Sequence, residues 1–147
     1  MLTHIVPYVV LLINTIFFEL SRKIGNTFIP PEKCPNASTL IKEVIATLEL
    51  CADCAELSVV WEVHGNLGYG LALFTLGIWW SLTWGDAEAC PSGPFEDCFL
   101  CGVPVTTLEI LVKILGQSIG AYFTWQYVFF KILHEFSHFF SFLIFSN

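Results

Sequence analysis

The sequence predicts an all-α integral membrane protein with about four transmembrane helices and one re-entrant half-helix, at roughly 20 residues per span. Three observations carry this expectation. Of the 147 residues, 55% are hydrophobic and 13% charged, and the mean hydropathy is +0.69, outside the range of an ordinary soluble domain. The apolar residues gather into long stretches separated by short polar or proline-bearing connections. Between two of those stretches lies Gly85 to Cys101, a polar segment holding Pro91 and Pro94. Irregular backbone at membrane depth is tolerated only where protein or a water-filled cavity surrounds it, so the segment reads as a half-helix beside a pore.

Residues 1–23 form an extra N-terminal membrane helix, its apolar run from His4 to Leu20 followed by Arg22 and Lys23. The basic pair acts as a stop-transfer flank, and the stretch lacks the basic start and small-residue cleavage site of a signal peptide. Residues 24–38, with Pro30, Pro31 and Pro35, read as a cytoplasmic loop. The second span runs from about Thr39 to Trp61 and carries Glu43, Glu49, Asp53 and Glu56, the last three sharing one helix face by their spacing. Two readings stay open for these acids: a line facing the bundle interior, or carboxylates hydrated near an interface. After a turn at Glu62-Val-His-Gly-Asn66, the third span runs from about Leu67 to Trp84. Gly68, Gly70 and Gly77 allow close approach there, and Trp79, Trp80 and Trp84 suit an interfacial belt. The fourth span is about Thr106 to Phe130, with Gly116, Gly120 and Ala121 on a packing face. Residues 132–147 form an atypical tail rich in Phe and Ser.

The net charge of −7 does not mark a nucleic-acid or other charged partner. Arg22, Lys23, Lys33, Lys42 and Lys113 fall where one membrane face would be, and Lys and Arg in short loops set orientation while acids contribute little. Cys51 with Cys54 and Cys98 with Cys101 form two C-x-x-C pairs, but the gap between them holds a whole span, unlike a zinc ribbon. His134-Glu135-Phe-Ser-His138 matches the H-E-x-x-H zinc motif. A catalytic zinc needs a third protein ligand, and the residues after His138 contain none, so Glu109 or Asp97 would have to reach it. No metal, cofactor or catalytic residue is therefore predicted, and a membrane zinc protease using His134, Glu135 and His138 is kept as the minor alternative.

Three further stretches resemble a known family. Glu43-Val-Ile-Ala-Thr47 is similar to the E-F-x-A-T of the first core aquaporin helix, and it continues into the cysteine-rich Leu-Glu-Leu-Cys-Ala-Asp-Cys-Ala-Glu-Leu57. Gln117-Ser-Ile-Gly120-Ala121 is similar to the Q-x-x-G-A of the third core helix. Between them, Cys90-Pro91-Ser92 occupies the place of the Asn-Pro-Ala box. Together with the extra first helix, these features resemble the N-terminal half of the unorthodox intracellular ("super") aquaporins.

The resemblance implies that residues 39–131 are the first repeat of an aquaporin-like fold, with a re-entrant loop at 85–103. Cys90, Pro91 and Ser92 would lie at the pore constriction, and Glu43, Thr47, Gln117 and Gly120 in helix packing. It implies a channel for water or small neutral solutes rather than an enzyme, a multi-pass location in an intracellular membrane such as the endoplasmic reticulum, and a homo-oligomer, a tetramer when complete. Cys90 departs from the family pattern, being a poor cap and weak donor where asparagine is both. The second repeat is missing from these residues, which predicts a truncated form, or alternatively a non-conducting membrane subunit.

Overall fold

The computed structural model describes the backbone of residues 2–99 and 107–145, with side chains described within 5–127 except 97–98 and 100–107. Four helices follow one another: α1 (Leu2–Phe28), α2 (Pro35–Thr83), α3 (Ser92–Phe99) and α4 (Thr107–Phe145). No strand occurs among the described residues. The chain is all-α, as the sequence predicts.

The boundaries follow local chemistry. Helix α1 continues past residue 23 to Phe28 because Gly25 lets it lie close to α2, where a Cβ would stand 3.3 Å from the Ile41 side chain. It ends just before Pro30, whose ring disfavours helical conformation in the residue ahead. Helix α2 starts at Pro35, a proline suited to a first helical position where no N–H is required. The connection at 24–38 is therefore shorter than expected.

The expected turn at residues 62–66 is confined to Gly65, whose φ of 67° and ψ of −164° interrupt α2. No side chain crowds that position; the backbone conformation itself selects glycine. The arms 35–64 and 66–83 fold back on each other as an antiparallel hairpin. Trp61 donates from Nε1 to Asn66 beside the turn, and further along Trp80 donates to Asp53 and Trp84 to Glu49. Leu57, Val60, Ala72 and Leu76 join Leu11 of α1 in a small apolar cluster between the arms.

Helix α4 runs parallel to the arm 35–64, in register over three turns. Glu43 faces Gly116, Thr47 faces Gly120, and Cys51 is hydrogen-bonded to Thr124. A Cβ at Gly116 would sit 2.8 Å from the Leu40 carbonyl oxygen, and one at Gly120 would sit 2.8 Å from that of Val44. The two backbones thus meet where only glycine fits, the small-residue contact that serves helix association in lipid.

Polarity is distributed in the reverse of a water-soluble bundle. Glu43, Glu49 and Asp53 are fully buried, with Glu56, Arg22 and Gln117 nearly so, whereas Phe17, Leu67, Phe74, Leu82 and Trp125 stand exposed. Burial settles the two readings of the acidic face in favour of the bundle interior. Helix α1 lies along that face, where Arg22 Nη1 pairs with Glu49 Oε2 at 2.5 Å and also contacts Glu19. Trp80 and Trp84, expected in an interfacial belt, instead stack on each other and turn their N–H groups toward the buried carboxylates. Arg22 likewise points inward instead of flanking the span. Buried carboxylates need such donors, because an uncompensated charge in a low-dielectric interior is far costlier than a displaced anchor.

Two outcomes follow for stability, both read as thermal unfolding in detergent. Gly116→Ala and Gly120→Ala are each expected to cost about 1–3 kcal/mol through overpacking. Gly70→Ala, which meets nothing within 4 Å, is expected to be neutral or to stabilise by roughly 0.5–1 kcal/mol; equal losses at all three positions would refute the tight crossing. Arg22→Met is expected to cost about 3–5 kcal/mol by stranding Glu49, with much of it recovered in the Arg22→Met/Glu49→Met double variant.

Candidate functional site

The chain between α2 and α3 is a short irregular loop that packs back against the crossing of α2 and α4. Gly85 turns it with a φ of 62°, and Ala89 also has positive φ, 55°, uncommon for a residue with a Cβ. Such a conformation persists only when its surroundings hold it.

Glu43 and Thr47 provide that hold. The Glu43 carboxylate accepts the backbone N–H of Glu88 through Oε1 and that of Ala89 through Oε2, each at 3.1 Å. Oε2 also accepts the side-chain amide of Gln117 at 3.0 Å. One turn along α2, the Thr47 hydroxyl reaches the Ala89 carbonyl at 3.5 Å. The spacing of these two residues thus has a physical reason: positions i and i+4 on one helix face clamp a single peptide residue from its N–H and its C=O. Glycines at 116 and 120 let α4 come near enough for Gln117 to join them.

The clamp delivers the chain to Cys90-Pro91-Ser92. Cys90 and Ser92 are exposed, and the Ser92 hydroxyl donates to Cys90 Sγ at 3.2 Å. Cys90 contributes its carbonyl to Gly93 N–H at 3.3 Å, closing a turn into α3. Pro91 lies in this turn, and the helix begins at Ser92. Pro94 then falls in the first turn, where a missing N–H removes no intrahelical bond. Phe95 and Phe99 stack along α3 with ring centroids 6.4 Å apart, and both rings are exposed. Beside the loop a polar cavity of about 140 Å³ is lined by Thr39, Lys42, Glu43, Asp86, Glu109 and Lys113.

The structure therefore brings Glu43, Thr47, Gln117 and Gly120 together at one crossing and places Cys90, Pro91 and Ser92 just beyond it. Sequence reading missed Glu88 and Ala89. A small residue before the box was the only local sign of Ala89, and nothing near Glu88 signalled that it would pair with Lys113. Cys101 and the side chains of Cys98, His134, Glu135 and His138 lie outside the described residues. Among the described residues no group of three or more His, Cys, Asp or Glu side chains is arranged to hold a metal ion.

These features define an all-helical protein with a polar interior, an apolar exterior and a loop clamped ahead of a short helix. Over 125 residues the chain is 26% identical to aquaporin-11 of Milnesium tardigradum, a match that takes in 82% of this chain and 44% of that protein. The chain thus spans less than half the length of the relative. No family model matches, and no solved structure does. The similarity is distant and covers only part of that protein. Among the described residues one helix, over Ile5–Phe28, is long and apolar enough by itself to cross a bilayer.

The clamp has a direct readout. In Glu43→Ala the Glu88 and Ala89 amides lose a charged acceptor worth about 1.5–3 kcal/mol, so their hydrogen exchange is expected to quicken by roughly one to two orders of magnitude. Unchanged exchange at both amides would remove Glu43 as the loop's anchor.

Proposed function

We propose that this chain is one repeat of a multi-pass channel that passes water or small neutral solutes by passive diffusion, with Cys90, Pro91 and Ser92 at its constriction. The observation that carries the reading is the clamp: a buried carboxylate and a threonine, one turn apart, hold the backbone just before a proline-bearing box that opens a half-helix. The distant similarity to an aquaporin and the inward polarity support the same reading. Apolar side chains facing outward suit lipid as the surrounding solvent, and an irregular loop packed against protein is the form in which such backbone is tolerated at membrane depth.

In this reading α1 is an additional membrane helix, the two arms of α2 and the helix α4 are the core spans, and α3 re-enters from one face. The amino end of α3 would face the solute path, its positive potential partly offset by the Glu88 carboxylate beside it. One repeat encloses no channel alone, so conduction requires a second repeat or a second copy in a two-fold arrangement. An intracellular membrane and a tetrameric assembly belong to the same proposal.

Light scattering from proteoliposomes tests it. The chain alone is expected to swell vesicles no faster than lipid does. Combined with a second repeat carrying its own half-helix, it is expected to raise the rate several-fold, and a membrane-permeant thiol reagent is expected to remove the increase through Cys90. Flux that ignores the reagent as fully as a Cys90→Ala variant does would overturn the placement of the box at the constriction.

A further inference from the structure

Glu88 stands two residues ahead of the box, and its carboxylate is engaged on both sides. Oε1 pairs with Lys113 Nζ at 2.5 Å, the two side chains being 21% and 11% exposed. Lys113 lies one turn before Gln117 on α4, so a single face of that helix carries both anchors of the loop: Gln117 to Glu43 and Lys113 to Glu88. Lys113 also lies within the field of Glu43 and Glu109.

The other oxygen faces α3. Glu88 Oε2 is buried and accepts no hydrogen bond, and it lies against Gly93 in the first turn of α3. A Cβ at Gly93 would fall 1.9 Å from Oε2 and 2.7 Å from Cδ, so the carboxylate occupies the space any side chain at 93 would need. A negative group is favoured beside the amino end of a helix, where unbonded N–H groups carry partial positive charge. Cys90, two residues ahead of α3, turns its sulfur to the Ser92 hydroxyl and backbone N–H, so the next N–H groups of the first turn lie nearest the Glu88 carboxylate.

We propose that Glu88, held by Lys113, is a positioning residue for the Cys90-Pro91-Ser92 box, fixing the angle at which the box enters α3. It deepens the reading of the box as the functional segment and rests on that reading. Lys113 fixes the carboxylate, the carboxylate fixes the first turn of α3 through Gly93, and Cys90 is held between the Glu43 clamp and this contact.

The experiment is alkylation of the purified full chain in lipid by N-ethylmaleimide, with labelling of each cysteine followed by peptide mass spectrometry. Cys34, exposed in the connection between α1 and α2, is the internal reference. Glu88→Gln and Lys113→Gln are each expected to speed Cys90 labelling several-fold at an unchanged Cys34 rate, and the double variant to add nothing further, as for two ends of one interaction. Gly93→Ala, which displaces the carboxylate without removing its charge, is expected to match Glu88→Gln. Lys113→Arg, which keeps the cation, is expected to label like the parent. Additive effects of the two charge variants, parental labelling in Gly93→Ala, or Cys34 accelerating together with Cys90 would each overturn the positioning role. Labelling reads the geometry of the box and vesicle swelling reads conduction. Coupled labelling without thiol-sensitive flux would therefore sink the channel reading and leave the positioning of the box standing.

Discussion

The fully buried carboxylate of Glu43 is the constraint on which the rest of the arrangement depends. An ionised carboxylate removed from water needs several donors to offset its lost hydration. Glu43 finds three: two successive backbone N–H groups of the loop and the amide of Gln117. The requirement works in both directions. The loop is drawn into the crossing because the carboxylate must be satisfied, and Ala89 keeps its left-handed conformation because its N–H and C=O are both taken by α2. Neither would be possible if α4 stood further off. Glycines at 116 and 120 are therefore part of the same device, since each removes a side chain that would meet a backbone oxygen of α2 at 2.8 Å.

The arm 35–64 carries two polar stripes. Glu43, Thr47 and Cys51 face α4 and the loop, while Glu49 and Asp53 face α1 and the returning arm. Glu43 in the first stripe is bonded by backbone and amide groups, while in the second a guanidinium and two indoles each reach one oxygen of Glu49 or Asp53. This difference matters for what each can do. Backbone donors fix a loop's conformation, whereas Arg22 and the tryptophans hold whole helices together, so α1 is tied to the hairpin by charge as much as by the apolar cluster around Leu11 and Leu57. Helix α1 thus braces the side of α2 that α4 leaves open.

Much of this was legible in the sequence. The helical class, the apolar stretches and the glycine face of α4 follow from local pattern, and the family resemblance singled out Glu43 and Gln117 as packing residues without showing that they touch. A short helix within the segment from Gly85 to Cys101 was expected as well, and α3 lies there from Ser92. The inward turn of Trp80, Trp84 and Arg22 was not legible. Position along a span suggests an interfacial anchor for such residues; the hairpin at Gly65 brings Trp80 and Trp84 opposite Asp53 and Glu49, and the packing of α1 on α2 brings Arg22 there. The Glu88–Lys113 pair was hidden for the same reason: its partners are 25 residues apart and meet only because α4 is parallel to the first arm of α2. Contacts set by helix register across the crossing leave no periodic trace in either strand of sequence.

The presence of a cysteine rather than an asparagine at position 90 bears on the electrostatics at the amino end of α3. An amide would supply a strong donor as well as an acceptor, whereas the thiol is a weak donor and here accepts from the hydroxyl and backbone N–H of Ser92. Glu88 supplies the negative charge there, and Lys113 offsets much of it on the far side, so a carboxylate can sit beside the box without imposing a full charge on its surroundings. Anything passing the box would then meet a weakly polar sulfur and a hydroxyl, with the helix dipole partly compensated from behind. In the channel proposed above, a constriction so lined would discriminate poorly by hydrogen-bond geometry. Selectivity at this box would have to come from size and from the groups opposite it, because the positive potential that an uncompensated helix end offers against cations is reduced by its own neighbouring carboxylate.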